Sequence, residues 1–284
     1  MPVFVCPVCH GPLDERGAAG VVCSSCGRGF PNRGGALDFT PNPPPHPDVS
    51  ERWPLWEQLQ HNFLVAAEEI PEHSLSLGDR EDARAFAEFA DLRGNVLDIG
   101  CGPQREPSYA MSAGAEFVGI DPVRGELERS FHFVQGLGEY LPFPDGAFDR
   151  VLFATSLDHV LSPVRALSES RRVIGASGSV NIWFGEVTDP EAPDPLWRRL
   201  ARAARHPVAV TASLLRARRQ PPAPVPAYQR ELTIPEGATD LFHVVHLSHP
   251  LVTDWLRQAG LRVSEVGRHG PSAFIRAVPA DASP

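Results

Sequence analysis

The chain has 284 residues, enough for one α/β domain of ordinary size plus a small appendage. Its formal net charge of −9 gives no general electrostatic reason to expect a nucleic-acid partner, and all 26 basic residues are arginines, which excludes lysine-nucleophile chemistry. The first residues lack a signal-peptide pattern and no apolar run approaches the roughly 20 residues of a membrane span, so we expect a cytoplasmic protein.

Two CxxC pairs open the chain, Cys6 with Cys9 and Cys23 with Cys26. In a reducing compartment such cysteines are better interpreted as metal ligands than as disulfides. Each pair presents two thiolates to one side, and four thiolates make the closed tetrahedral shell of structural zinc. A redox CxxC would need a following helix in a thioredoxin-like unit, which neither pair has. The spacing predicts a structural zinc ribbon over residues 1–39.

A proline-rich stretch, TPNPPPHP, follows the ribbon and predicts an extended linker at 40–50 before a main domain at 51–284. The main domain opens with an apolar helical face, which we interpret as packing rather than an aromatic cofactor site: Trp53, Leu55, Trp56, Leu59, Phe63 and Leu64. Asp79 is the predicted N-cap of the next helix, which ends before Gly94.

A βαβ unit with an acid near the end of each strand comes next. The buried strand 95–99 contains Asp98 and runs into a glycine turn, and the second strand ends at Asp121. A glycine turn lets a ligand approach the backbone, and an acid about 20 residues on can accept both hydroxyls of a ribose. A dinucleotide site would need a third glycine where this chain has Arg105. S-adenosylmethionine (SAM) has no pyrophosphate, so the departure favours SAM over NAD.

The motifs VLDIGCG, VGIDP, GEYLPFPDGAFDRVLF and SLDHV, in this order and spacing, resemble those of class I SAM-dependent methyltransferases from about residue 95 to 184. The resemblance implies an α/β fold, a doubly wound Rossmann-like sheet of seven strands with an antiparallel end hairpin. The first forty residues also resemble the zinc ribbon of the small activator proteins that partner tRNA and translation-factor methyltransferases. Whether the ribbon stabilises the chain or docks a partner stays open.

The methyltransferase resemblance also implies a set of cofactor-binding residues. Asp98, Gly100 and Gly102 would line the methionine end, and Asp121 would take the ribose. Many relatives have an aspartate at the Leu137 position; leucine cannot accept from the adenine amino group, so Glu139 or a backbone carbonyl must substitute. The full implied set is Asp98, Gly100, Gly102, Asp121, Pro122, Leu137, Gly138, Glu139 and Thr155.

The rest of the chain alternates helices and strands around one irregular insertion. We predict a helix from Ser162–Pro163 to Gly175, a strand at 178–184, a helix from Ser248 to Gly260 and strands at 261–266 and 272–278. The insertion, at about 185–239, contains the arginine-rich stretch Arg198 to Arg219. Three interpretations stay open for that stretch: a solvated lid, a clamp for an anionic substrate, or a contact with RNA or a membrane surface.

Four side chains are candidate general bases for methyl transfer. Asp158 and His159 follow the fourth strand at the ligand end of the sheet, and His243 and His246 lie just before the last helix. Capping, core or surface roles are the alternative for each. The first hypothesis is a methyltransferase acting on an O or N atom of a small, possibly anionic biosynthetic substrate. The alternatives are an RNA or protein methyltransferase that docks through its ribbon, and a catalytically idle SAM-fold assembly module; the oligomeric state stays open.

Overall fold

A computed structural model describes residues 2–69, 80–102, 109, 115–125, 128–185 and 232–281. The predicted cap Asp79, the diagnostic Arg105 and the stretch Arg198 to Arg219 lie outside the described residues, as does most of the predicted insertion. Within the described part of the chain, the strands form one sheet of four strands and one of seven. No helix in that part is long and apolar enough to cross a membrane.

The four-stranded sheet contains the N-terminal cysteines. Its strands pair antiparallel in chain order: β1 Leu13–Glu15, β2 Gly20–Cys23, β3 Gly29–Arg33 and β4 Ala36–Leu37. The first CxxC pair precedes β1, and the second lies in the turn between β2 and β3. This hairpin arrangement brings the two pairs together.

The seven-stranded sheet has the order β10-β11-β9-β8-β5-β6-β7. Strands β5 to β9 pair in parallel, whereas β11 pairs antiparallel with both β9 and β10. The Rossmann-like sheet with an antiparallel end hairpin is therefore confirmed. The strands are β5 Gly94–Ile99, β6 Ala115–Asp121, β7 His132–Gln135, β8 Phe148–Ala154, β9 Ile174–Gly185, β10 Leu261–His269 and β11 Ser272–Pro279.

Two strands are longer than the sequence pattern predicts. Strand β9 starts at Ile174, which pairs with Phe148, and β10 continues to His269, which pairs with Ser272. In both cases a neighbouring strand supplies the backbone partners that extend the ladder beyond the apolar run. The helices are α1 Pro47–Ser50, α2 Trp53–Glu69, α3 Glu81–Ala90, α4 Pro163–Val173 and α5 His249–Gln258.

The proline-rich segment ends in a short helix instead of continuing as an extended spacer. Helix α1 starts at Pro47 and buries Val49 completely, in a cluster with Leu59 and Tyr140. The amide of His46 donates to the Tyr140 hydroxyl at 3.0 Å. These contacts fix the segment against the main domain.

The small sheet packs on the edge of the large one. The amide of Phe39 donates to the carbonyl oxygen of Gln135 on β7 at 2.7 Å, and Val5 donates to Pro142 at 3.0 Å. The ring of Phe4 lies 5.2 Å from that of Phe39 and 5.8 Å from that of Phe143, measured between centroids. The cysteine-containing sheet and the α/β sheet therefore share one hydrophobic core.

Candidate active site

A cavity of about 270 Å³ opens at the carboxyl ends of the parallel strands. It lies where the strand order reverses, between β5 and β8, the place where open α/β sheets bind ligands. The sheet and its following turns contribute Ile99, Gly100, Gly102, Ile120, Asp121, Pro122, Gly136, Leu137, Gly138, Glu139, Ala154, Thr155 and Ser156. The remaining lining residues include Trp56, Leu59, Gln60, Phe63, Arg80, Tyr109, His159 and Phe242.

The glycine turn after β5 is required by the local geometry. Gly100 has φ +77°, and its amide donates to the carbonyl oxygen of Ile120 at 2.8 Å. A Cβ atom at this position would lie 2.4 Å from the Cβ of Ser156, which itself donates a 2.5 Å hydrogen bond to the carbonyl oxygen of Ile99. A side chain would therefore be strained by the backbone and would clash with the next strand end.

Asp98 lies behind the cavity wall and does not line it directly. It is 1% exposed; Oδ2 accepts a 2.6 Å hydrogen bond from the Tyr109 hydroxyl, whereas the buried Oδ1 has no hydrogen-bond partner among the described residues. Burial raises the pKa of Asp98 to about 7; the negative charge of Asp121 adds to the rise and the Tyr109 bond opposes it. This carboxyl group would be stabilised by a nearby positive charge.

Asp121 lies in the cavity wall at the end of β6. Its Oδ2 accepts the amide of Gly102 at 2.8 Å, and Oδ1 accepts the amide of Val123 at 2.7 Å. Burial raises its pKa to about 6, although these two bonds and the charge of Arg129 lower it. The side chain is thus fixed between the two turns that border the cavity.

The segment 137–139, which the resemblance implies to face adenine, lines the cavity and also makes contacts in the core. Leu137 lines the cavity and packs in the cluster that contains Leu59 and Leu161. Glu139 lines it too, but its Oε1 accepts the amides of Leu161 at 2.8 Å and Ser162 at 3.1 Å, at the start of α4. Burial raises the pKa of Glu139. One carboxylate oxygen is therefore already used to cap a helix.

Gly138 and Thr155 lie at positions with tight local geometry. A Cβ atom on Gly138 would lie 2.8 Å from Cγ2 of Ile99. Thr155 has φ +57°, unusual for a β-branched residue, and its amide donates to the carbonyl oxygen of Trp183 at 2.8 Å. Backbone strain of this kind is common at functional sites.

Three of the four candidate bases meet beside the cavity. Nε2 of His159 lies 3.7 Å from Oδ1 of Asp158, and Nε2 of His243 lies 3.8 Å from Oδ2. His159 alone among the four lines the cavity, and burial lowers its pKa. His246 is more remote: its Nε2 pairs with Asp240 at 2.7 Å, and 39% of its side chain is exposed.

Sequence reasoning missed two parts of this site. Trp56, Leu59 and Phe63 of α2, which the pattern predicts as core, form one wall of the cavity. Asp240 was not a candidate, yet it contacts both His243 and His246. The spacing of an acid three and six residues before two histidines is a signal that could have identified it.

The N-terminal cysteines also come together. Sγ of Cys6 lies 3.7 Å from that of Cys26, and Sγ of Cys9 lies 3.5 Å from that of Cys23. All four sulfur atoms lie within 4.8 Å of one another, and the amide of Cys26 donates to Sγ of Cys23 at 3.4 Å. Four thiols this close, on two tight turns, form a group that could hold a metal ion.

Comparison with known proteins agrees with this geometry. Residues 97–182 match a family model described as a methyltransferase domain. The matched segment supplies most of the sheet side of the cavity, from Ile99 to Ser156.

Curated proteins extend the match unevenly along the chain. An uncharacterized methyltransferase of Mycolicibacterium gilvum is 35% identical over 102 residues, covering 32% of this chain and 40% of the relative. An uncharacterized chloroplastic methyltransferase of Arabidopsis thaliana is 23% identical over 230 residues, covering 69% and 64%. The chain thus spans about two fifths of the length of the first curated relatives it matches.

One solved structure shows the same fold over nearly the whole chain. The 1,6-didemethyltoxoflavin-N1-methyltransferase of Burkholderia thailandensis, solved with 1,6-didemethyltoxoflavin and S-adenosylhomocysteine, has a TM-score of 0.51 and 12% identity. The alignment covers 95% of this chain and 100% of that one. At this identity the similarity establishes the fold.

Proposed function

We propose that the chain is a SAM-dependent methyltransferase that acts on an O or N atom of a small-molecule substrate. The observation that carries the proposal is the cavity at the strand-order reversal, with the buried carboxyl groups of Asp98 and Asp121 at the ends of adjacent strands. When bound, SAM supplies an electrophilic methyl group on a positively charged sulfonium. Every other requirement falls on the residues of the chain.

The donor set fits this cofactor. Asp98 has a buried oxygen without a partner, and SAM has positive charge on both its sulfonium and its amino group. Asp121 lies in the wall next to the glycine turn, where a ribose would find an acceptor. The bare backbone of Gly100 and Gly102 leaves room for the amino-acid portion.

The adenine side departs from the pattern of the relatives. Leu137 offers only apolar surface, and Oε1 of Glu139 is committed to the α4 amides. We propose that the adenine is held by apolar contact with Leu137 and by a backbone carbonyl of this turn, without a dedicated carboxylate.

Two observations support a small acceptor. The cavity is lined by the aromatic residues Trp56, Phe63 and Phe242, which fit a planar or apolar molecule better than a polymer. The net charge of −9 also disfavours RNA.

Proton removal from the acceptor falls to the cluster beside the cavity. Of its imidazoles, His159 lines the cavity wall, and Asp158 and His243 flank it. An acceptor hydroxyl or amine bound in line with the methyl group would meet His159 first.

The first test is calorimetric titration of the full chain with SAM and with S-adenosylhomocysteine. We expect binding in the micromolar range to wild type and at least about tenfold weaker binding to Asp121→Ala. Exposed Asp14→Ala is the matched control and should bind like wild type. A folded protein that binds neither ligand would overturn the proposal in favour of an assembly module, and salt-dependent RNA binding would favour the RNA methyltransferase alternative.

We also propose that the four N-terminal cysteines hold one structural zinc ion. The proposal is supported by the mutual proximity of their sulfur atoms and by the Cys26 amide that donates to Sγ of Cys23. Metal quantitation should find this ion in wild type and lose it in Cys9→Ser. A folded wild-type protein without metal at this site would contradict it.

A further inference from the structure

We propose that Asp158, His159 and His243 form a binding site for a divalent transition-metal ion at the edge of the cofactor cavity, separate from the cysteine site. One ligand atom from each lies within 4.8 Å of the others. Two imidazole nitrogens and one carboxylate are a ligand set typical of Zn²⁺, Fe²⁺, Mn²⁺ and their neighbours. These three residues are called the His–Asp cluster below.

The hydrogen bonds around the His–Asp cluster fix the tautomer of His159. Its Nδ1 lies 3.0 Å from the carbonyl oxygen of Phe242, and a carbonyl oxygen can only accept. Nδ1 therefore carries the hydrogen, and in the neutral ring the lone pair is on Nε2. That lone pair is on the nitrogen nearest Asp158.

The same argument applies to His243. Its Nδ1 lies 2.9 Å from both carboxylate oxygens of Asp240, so it donates to that carboxylate and leaves the lone pair on Nε2. An imidazole that donates from one nitrogen to a carboxylate and coordinates through the other is a recurrent arrangement in metal sites. Asp240 thus acts as an outer anchor.

The facing atoms of the His–Asp cluster lack donors. Oδ1 of Asp158 is buried and makes no hydrogen bond with the described residues. It lies 3.7 Å from Nε2 of His159, and Oδ2 lies 3.8 Å from Nε2 of His243; both separations are too long for hydrogen bonds. Two lone pairs and a carboxylate that converge without a proton between them repel one another. A divalent ion bound to all three at about 2.0–2.2 Å would remove this repulsion.

Asp240, His243 and His246 make a second group of potential ligands, but their atoms are already used. Asp240 accepts the amides of Phe242 and His243, Nδ1 of His243 and Nε2 of His246, all between 2.7 and 2.9 Å. Although partial burial raises the pKa of Asp240, these bonds hold it well below its usual range. A carboxylate that already accepts this many hydrogen bonds is suited to hold His243 in place but is poorly placed to bind an ion. The His–Asp cluster is therefore the favoured ion site.

The backbone holds the two halves of the site together. The amide of Val244 donates to the carbonyl oxygen of Asp158 at 2.9 Å, and the rings of His159 and His243 are 4.8 Å apart between centroids. The turn after β8 that carries Asp158 and the segment that carries His243 are therefore joined before any ion binds. Such preorganisation favours metal binding.

Because His159 lines the cavity, an ion here would border the space proposed for the acceptor. Three protein ligands leave coordination positions for water or for an acceptor oxygen, whose pKa a bound divalent ion lowers. In the ion-loaded protein Nε2 of His159 would be coordinated, so the lowered pKa of the acceptor would take the place of proton transfer to His159. This use of the ion rests on the proposed methyltransferase function, whereas ion binding itself does not.

The test is titration of the full chain with Co²⁺ after the cysteine site has been filled with one equivalent of Zn²⁺. We expect one further ion per chain, with visible d–d bands typical of nitrogen and oxygen ligands and no thiolate-to-metal charge transfer. His243→Gln and Asp158→Asn should lose this signal, Asp240→Asn should weaken binding by about 10–100-fold, and exposed His132→Gln should leave it unchanged.

Circular dichroism and thermal melting establish that each variant is folded, and Asp158→Asn, which keeps the shape of the side chain, covers the case in which a histidine variant is not. The site would be overturned if wild-type protein bound no Co²⁺, or bound it only with thiolate-to-metal charge-transfer bands. Folded variants that bind Co²⁺ as wild type does would also overturn it. Titration with SAM in the presence and absence of the second ion tests the methyltransferase proposal independently. SAM binding by a protein that takes up no second ion would support the methyltransferase proposal and overturn the metal site. Ion binding by a protein that does not bind SAM would support the metal site and overturn the methyltransferase proposal.

Discussion

The Tyr109 hydroxyl donates a 2.6 Å hydrogen bond to Oδ2 of Asp98, and both side chains are at least 98% buried. This single bond offsets only part of the cost of burying a carboxylate, because Oδ1 of Asp98 has no partner among the described residues. The pair therefore favours a protonated Asp98 near neutral pH until a cation approaches.

The stability of the protein should fall as the pH rises because of Asp98. Its pKa is 3.8 in a model peptide and about 7 in the fold, so the folded state holds a proton between these values that the unfolded state has lost. The stabilisation is complete below about pH 4 and is lost as the pH rises through 7; it amounts to at most about 4 kcal/mol. Urea unfolding of wild type and Asp98→Asn at pH 4.5, 6 and 7.5 measures it.

The Asp98→Asn variant should show a shallower decline in unfolding free energy than wild type over this window, with exposed Asp14→Asn as the control that keeps the wild-type slope. Asp121, whose pKa is raised to about 6, also titrates in all three proteins; because its charge acts on Asp98, the difference in slope includes the interaction between the two carboxyl groups. Identical slopes in wild type and Asp98→Asn would mean that Asp98 is ionised in the folded state.

Cofactor binding should release protons near pH 6.5. A sulfonium or ammonium group near Asp98 would favour the carboxylate, so a fraction of the chains must lose a proton as SAM binds. Calorimetry in buffers of different ionisation enthalpy counts the protons. The release should be smaller in Asp98→Asn and smaller at pH 8.5, and an unchanged count in the variant would assign the proton to another group.

Gly100→Ala should destabilise the fold and prevent cofactor binding. The left-handed backbone alone costs an L-residue about 1–2 kcal/mol, and the new methyl group would lie 2.4 Å from Cβ of Ser156. We expect a loss of at least about 2 kcal/mol by urea unfolding. Gly185→Ala is the matched control, because no atom of the described residues lies within 4 Å of a Cβ atom there; equal stability of the two variants would mean that the close approach to Ser156 costs nothing.

Glu139→Ala should lower the free energy of unfolding, because it removes the acceptor at the start of helix α4. The substitution leaves the amides of Leu161 and Ser162 without their acceptor in a buried position, at a cost of about 3 kcal/mol. Exposed Glu116→Ala should change stability by less than about 0.5 kcal/mol. If chemical denaturation gave both variants wild-type stability, the helix start would have to find another acceptor.

Removal of the proposed zinc ion should unfold more of the protein than the small sheet. Because Phe4, Phe30 and Phe39 pack in the core that also contains Phe143, loss of the cysteine site would expose part of the main core. We expect a chelator to lower the melting temperature by at least about 5 °C in one cooperative transition. Restoration by added zinc is the control; two separate transitions would show that the small sheet melts independently.

Much of the fold follows from local sequence. The glycine turn after a buried strand, the acid at the end of the next strand and the alternation of apolar runs with helical faces are enough to predict a doubly wound sheet, because each signal depends on neighbours close in the chain. The last two strands are predicted for the same reason, although the ends of β9 and β10 depend on partner strands.

The candidate site needed the tertiary structure. The sequence predicts four candidates in two pairs about 85 residues apart, Asp158 with His159 and His243 with His246, but it cannot tell which of them meet. Packing decides that His159 and His243 face one carboxylate while His246 turns to Asp240. It also assigns Glu139 to a helix start and the α2 aromatics to the cavity wall.

The sequence by itself thus determined the sheet, its glycine turn and the two cysteine pairs, because backbone conformation and hydrophobic periodicity are properties of short segments. Only the tertiary structure decided that the cysteine-containing sheet shares the main core, that one oxygen of Asp98 finds no partner in the described part of the chain and that two distant histidines converge on Asp158. Burial, missing hydrogen-bond partners and the direction of a side chain arise from contacts between segments far apart in the chain.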